Sequence, residues 1–322
     1  MTLDAARHVA VVGGGISGLA AAWFLHRDAP QTRVTVLEAG DRVGGKLRLD
    51  EVGGQPLDQG AESLLLRRPE AVALAQAAGL ALTEARTTAA AVWSRGRLVP
   101  LPAGTVMGVP TRLRSLAASG LLRPAETARA SLDRWLPGAA PDDDVAIGRF
   151  VAARLGPAVR DRLVEPLLGG VYAGRADELS LAATVPALWA QLSSHRSLVA
   201  AARASTATGR PAGPVFGAPA GGVGLLPDAV AASAGASVRT RATVRGIRRT
   251  DTGFELSLGP ADGTELLAAD AVVVAAPPPA AARLLRELAP VAAAELAGVP
   301  MASMAIVSLA YPAHTVPALP WS

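Results

Sequence analysis

The sequence predicts an α/β fold in three parts: a parallel-sheet core that the chain leaves and re-enters, a helical insertion, and the start of an α+β segment. Three observations carry this. An apolar strand pattern at 9–12 runs into glycines, then into an alanine-rich helical pattern at 16–25, then into a second strand pattern at 33–38. From about Thr111 to Thr208 the apolar spacing is helical. Beyond Gly222, short alternating runs and an apolar run at 271–274 read as strands again.

The chain has 322 residues, half of them hydrophobic, enough for a large core and two domains. Net charge is +4, from 31 basic and 27 acidic residues, and Lys46 is the single lysine. That balance is too mild to argue for nucleic acid, and no short run is dense in basic residues; it suits an anionic ligand held by a few arginines. With no cysteine, disulfides, thiolate catalysis and thiolate metal sites are excluded.

The first apolar run, 9–25, reads as neither signal peptide nor membrane span. Asp4, Arg7 and His8 precede it instead of a positive cluster, and Gly13, Gly14 and Gly15 interrupt it. Gly13, Gly15 and Gly18 instead spell G-x-G-x-x-G between a strand and a helix. The spacing supplies a tight turn, close backbone approach to a pyrophosphate and close helix–strand packing, with the helix N-terminus aimed at the phosphates. Glu38 ends the second strand twenty residues past the last glycine, the place of a carboxylate that binds a ribose hydroxyl. A second glycine pair, Gly44 and Gly45, lets another loop approach the same ligand, with Arg42 and Lys46 adding positive charge.

Further along, 91–93 and 97–99 predict a hairpin about Ser94-Arg95-Gly96. Ile147, Phe150, Val151 and Leu155 share a helix face, and Asp142-Asp143-Asp144 before them read as an N-cap for that helix rather than a metal site. Residues 209–222 read as a connection back to the core. Val238, Val244 and Ile247, then 254–258, predict strands, with a turn at Gly263. A helix over 279–288 and a strand over 304–310 are expected after Pro277. His8, His26, His195 and His314 fit no metal spacing and are each expected at the surface. Leu19 stands where G-x-S-x-G needs its last glycine, so Ser17 is no nucleophile elbow. Tyr172 and Trp189 suit a planar ligand or a core.

Residues 38–46, Glu38-Ala39-Gly40-Asp41-Arg42-Val43-Gly44-Gly45-Lys46, resemble the E-x-x-x-R-x-G-G-[RK] segment of the flavin amine oxidase superfamily. Asp58-Gln59-Gly60-Ala61-Glu62-Ser63 resembles the superfamily's next glycine turn, which lies along the flavin. Gly170-Val171-Tyr172-Ala173-Gly174 is similar to the G-V-Y-A-G segment of protoporphyrinogen and coproporphyrinogen III oxidases; read alone it is also a glycine-rich helix exit. Residues 219–226 and 269–277 resemble that family's G-G-x-x-x-L segment and its strand returning to the flavin domain.

The resemblance, of actinobacterial type, implies a Rossmann-like FAD-binding domain of the glutathione reductase type at 1–88 and 209–277. It implies a hairpin plus helical substrate or membrane-side insertion at 89–208, and an incomplete substrate domain at 278–322. FAD is then expected on Gly13, Gly15, Ile16, Ser17, Gly18, Glu38, Ala39, Arg42, Gly45, Lys46, Gly60, Ala61, Glu62, Ser63 and, through its backbone, Val244. Arg95, Arg97 and Tyr172 are candidates for the substrate. No catalytic base is assigned, and no metal is expected. The implied activity is oxidation of coproporphyrinogen III, or of protoporphyrinogen IX, by O2 with release of H2O2, in haem biosynthesis in the cytoplasm. A peripheral membrane contact through the helical region stays open, as do an amine oxidase and a polyene desaturase of the same superfamily. Family chains are about half as long again and end in a segment that closes over the flavin. As given, this chain is expected to bind FAD weakly or not at all and to show little activity.

Overall fold

The computed structural model describes residues 8–85, 89–137, 140–207, 214–259 and 264–316. They form two compact units: one from 8–85, 214–259, 264–301 and 305–316, the other from 89–137, 140–207 and 302–304. The predicted turn at Gly263 lies outside the described residues.

The first unit is mixed α/β. Its central sheet has four parallel strands in the order Ser237–Arg239, Arg33–Leu37, His8–Val12, Ala271–Val274. Every residue of His8–Val12 is buried, as expected of a parallel strand covered on both faces. Alternate side chains serve different cores. Val9 and Val11 pack with Leu19 and Ala22 of the helix Ile16–Asp28 and with Leu226 and Val230 of the helix Leu226–Ser233. Ala10 and Val12 face Ile247, Leu256 and Leu258, on the antiparallel meander Val244–Thr250, Gly253–Leu258, Glu265–Ala269. The layers are therefore helices, parallel sheet and meander. Each fully buried leucine or valine on these faces stabilises by about 1.5–3 kcal/mol.

His8 is buried, not at the surface as expected. Its ring nitrogens lie 2.9 Å from the Ala268 carbonyl oxygen and 2.9 Å from Thr35 Oγ1, and its backbone N–H donates to Asp270 Oδ2 at 2.7 Å. The side chain ties the edges of three neighbouring strands together, and burial pushes its imidazole below the ordinary value. His26 and His314 are exposed; His195 is half-buried.

Two hairpin strands, Leu49–Val52 and Gln55–Asp58, turn through Gly53 and Gly54, both at positive φ. The stretch read as a connection contains a strand, Phe216–Pro219, between Leu64–Leu65 and Leu82–Glu84. After the central sheet, helices Pro278–Leu285 and Pro290–Ala297 pack on one another; the second was not foreseen. The strand expected over 304–310 is absent. Among the described residues no neighbouring strand takes its backbone hydrogen bonds, and Val307 and Leu309 are 77% and 68% exposed.

The second unit opens with the predicted hairpin, Ala91–Ser94 and Arg97–Pro100. Arg95 and Gly96 both have positive φ, as a two-residue turn between twisted strands requires. Helices Leu113–Ala118, Pro124–Ser131, Ile147–Leu155, Glu165–Tyr172 and Leu198–Ala207 enclose a core of Leu116, Ile147, Val151, Leu155, Leu168 and Leu198. The acidic run does not cap Ile147–Leu155, whose cap residue is Ala146 with no side-chain bond. Asp144 instead accepts the Ala182 N–H at 3.0 Å, because an Ala146–Ser180 bridge sets it beside the helix Leu181–Thr184. The Ser180 hydroxyl and that amide hold its carboxyl below the usual carboxylate range. Among the described residues, no helix is long and apolar enough to cross a membrane.

Candidate cofactor site

The fingerprint turn is shaped by contacts that only glycines allow. Gly13 sits at φ +110°, its N–H donates to the Leu37 carbonyl at 2.8 Å, and an added Cβ would lie 2.7 Å from the Ala275 oxygen. At Gly18 a Cβ would lie 1.9 Å from the Gly13 oxygen, so the helix can lie this close to the turn only without one. Gly15 differs: a Cβ there meets nothing within 4 Å. It starts the helix Ile16–Asp28, whose first turn has no side-chain cap and no acidic residue. The helix end, with half-buried Ile16 and exposed Ser17, is therefore open to an anion.

Glu38 closes the other side. One carboxylate oxygen accepts the Gly14 N–H and the other the Gly40 N–H, each at 2.7 Å. Each oxygen keeps acceptor capacity for a hydroxyl. The Glu38 backbone is clamped by the Arg239 carbonyl and the Ala242 N–H, at 2.8 Å each. Half-buried Val244 begins the next strand two residues on, so the structure brings it to the neighbourhood of Glu38. Ala39, beside the acid, is exposed.

The second glycine pair packs on the first turn. The Gly44 N–H donates to the Gly14 carbonyl at 2.8 Å, and a Cβ on Gly45 would lie 3.3 Å from Gly15 Cα. Arg42 holds this loop by donating to the carbonyls of Val43, Leu47 and Gly45 at 2.9, 3.1 and 2.8 Å. Its guanidinium thus shapes the loop, while Lys46 is exposed. A Cβ on Gly60 would lie 2.2 Å from the Lys46 carbonyl oxygen, so this third glycine segment lies against the second; Ala61, Glu62 and Ser63 follow it, exposed.

Sequence reasoning quoted Asp58 but gave it no role. Its carboxylate accepts the Val223 N–H at 2.9 Å and the Gly224 N–H at 2.7 Å. It thereby joins the glycine turn at 58–60 to the start of Leu226–Ser233. The available signal was only the G-G-x-G run at 221–224 ahead of a helix, whose bare amides need an acceptor.

The substrate candidates are all in the second unit. Arg95 donates to the Gly120 and Leu121 carbonyls at 2.7 and 2.9 Å, and Arg97 to Gly120 at 3.2 Å. Both guanidiniums fasten the hairpin to the end of Leu113–Ala118. The Tyr172 hydroxyl donates to the Thr184 carbonyl at 3.1 Å, and Trp189 packs against the core. Among the described residues, no group of His, Asp or Glu could hold a metal.

The arrangement can hold a diphosphate between a bare turn and a helix end, with a carboxylate for an adjoining sugar. Residues 16–320 match the family described as "Flavin containing amine oxidoreductase". The chain is 40% identical to a coproporphyrinogen III oxidase of Mycobacterium leprae, over 96% of this chain and 68% of that one. It is 36% identical to another of Propionibacterium freudenreichii, over 95% of this chain and 63% of that one. Among solved structures it resembles one named for a protoporphyrinogen oxidase of Exiguobacterium sp. 255-15, with TM-score 0.74 and 32% identity, covering 87% of this chain and 62% of that one. The chain thus spans about two thirds of the length of the curated relatives it matches.

Proposed function

Because the chain belongs to the flavin containing amine oxidoreductase family, we propose that it serves an FAD-dependent oxidation of coproporphyrinogen III to the porphyrin, with O2 as acceptor and H2O2 as product, in haem biosynthesis. The observation that carries this reading is 36–40% identity to coproporphyrinogen III oxidases over nearly the whole chain. The first unit is read as a Rossmann-like FAD-binding domain of the glutathione reductase type, interrupted at 89–208 by the helical insertion.

The residues fit the cofactor: the turn is closed at Gly13 and Gly18 and open at Gly15, where a phosphate needs room. Ile16, Ser17 and Gly18 present the helix end to the diphosphate, and Glu38 accepts from the adenosine ribose. Gly45, Lys46 and 60–63 line the way toward the ring, and Val244 flanks the adenine. When bound, the flavin takes up the hydride that the macrocycle loses. The protein's own share is to hold the two partners edge to face and keep the sugar–phosphate arm in place.

The test is porphyrin fluorescence in air, with FAD supplied, on coproporphyrinogen III, protoporphyrinogen IX and a diamine. Coproporphyrinogen oxidised slowly, but measurably faster than by oxygen alone, is the expected result. Turnover of the diamine without porphyrin formation would overturn the reading in favour of an amine oxidase.

A further inference from the structure

We propose that a cavity within the helical unit binds the carboxylates of a tetrapyrrole acid; the choice of ligand rests on the function proposed above. The cavity has a volume of about 760 Å³, within the range of small-molecule sites, ~300–1,000 Å³. Every lining residue belongs to the second unit, and none is part of the glycine turns or Glu38.

Its charge points to the ligand. Four guanidiniums line it: Arg112 and Arg114 on the helix Leu113–Ala118 and its cap, Arg134, and Arg203. The single lining carboxylate does not neutralise them. Asp133 is buried and already receives Arg154 Nε at 2.7 Å, the Ser197 hydroxyl at 2.6 Å and the Val199 N–H at 3.2 Å. Arg203 donates to the Thr111 carbonyl, and Arg134 stacks on Trp135. Arg112 and Arg114 are exposed and form no ion pair among the described residues. Four cations around one spent carboxylate favour a multiply charged anion.

Leu113, Val199 and Ala200 set apolar surface among these arginines and three serines, so the site can take an apolar body as well as charge. A tetrapyrrole with several propionates has both. Inorganic phosphate has charge alone, and a neutral porphyrin has the body alone. Arginine suits the carboxylates because its fork can bond both oxygens of each.

The experiment titrates the full chain with coproporphyrin III, which is stable in air, and follows the shift of its main absorption band. Parallel titrations use its tetramethyl ester and inorganic phosphate as competitor, and the double variant Arg112→Ala/Arg114→Ala. Both replaced side chains are exposed, and thermal melting checks that the variant folds. We expect the free acid to bind about tenfold or more weakly to the variant, the ester to bind poorly to both, and binding to weaken with added salt. Unchanged affinity in the folded variant, equal binding of acid and ester, or full displacement by phosphate overturns the proposal. Arginine-dependent binding without turnover of coproporphyrinogen counts against the enzymatic reading and not against the cavity.

Discussion

Alanine at Gly15 and alanine at Gly18 are one methyl each, three residues apart, and the structure assigns them opposite effects. Gly15 has φ −69° and ψ 172°, extended backbone that alanine adopts freely, and its Cβ would meet no protein atom within 4 Å. Removing glycine's freedom from the unfolded chain stabilises by about 0.4–1 kcal/mol. The Gly15→Ala protein should therefore melt at or slightly above the parent temperature in the absence of flavin. Its methyl, however, points into the open space that the proposed function gives to the diphosphate. Loss of one charge-assisted hydrogen bond there, about 1.5–3 kcal/mol, weakens FAD binding roughly tenfold to a hundredfold. At Gly18 the new Cβ would sit 1.9 Å from the Gly13 carbonyl oxygen, far inside contact distance. Helix or turn must move, at about 1–3 kcal/mol or more, so Gly18→Ala should melt lower even without flavin. Thermal melts of the flavin-free proteins and quenching of FAD fluorescence on titration measure both arms. A Gly15→Ala protein that binds FAD like the parent, or a Gly18→Ala protein that melts like it, would refute the reasoning.

Three more outcomes are expected. Asp58→Ala removes the acceptor of the Val223 and Gly224 amides and should lower stability by about 1–2 kcal/mol, read from a urea midpoint; an unchanged midpoint would show that the pairing carries nothing. Arg154→Leu leaves Asp133, whose side chain is 1% exposed, buried without its partner, and should cost about 3–5 kcal/mol. Arg154→Leu combined with Asp133→Asn should recover part of that loss in the same assay. Burial holds His8 below its ordinary value of 6.5, so the unfolded chain takes up the proton at higher pH than the folded one. Its contribution is intact above 6.5 and is lost as pH falls from there through the lowered folded value. Urea midpoints at about pH 7.5 and about pH 5.5 should differ less in His8→Gln than in the parent.

The crossover was legible because its constraints are local. Gly13, Gly15 and Gly18 lie within six residues; Gly18 is forced by the Gly13 carbonyl five residues back, Gly15 is free, and Glu38 reaches back to the Gly14 amide from the next strand, although the contact that forces Gly13 comes from distant Ala275. What escaped depends on distant partners. Asp58 meets amides 165 and 166 positions later, and His8 meets the Ala268 carbonyl 260 later. No spacing rule links such pairs. Asp144 was assigned to the helix nearest in sequence, whereas the Ala146–Ser180 bridge delivers it to another. The apolar run at 304–310 has the composition of a strand, but a strand forms only where a neighbour takes its backbone bonds, and here none does. Arg95 and Arg97 were chosen for their charge, which the sequence displays; that both spend it on the Gly120 carbonyl is a tertiary fact.

The central claim is that the amino-terminal turn grips the adenosine diphosphate arm of a dinucleotide. The most direct measurement is equilibrium binding of FAD to the protein, with ADP and FMN as competitors. The account predicts that ADP displaces FAD while FMN, which lacks the adenosine and the second phosphate, displaces it poorly. Displacement by FMN with no effect of ADP would contradict it.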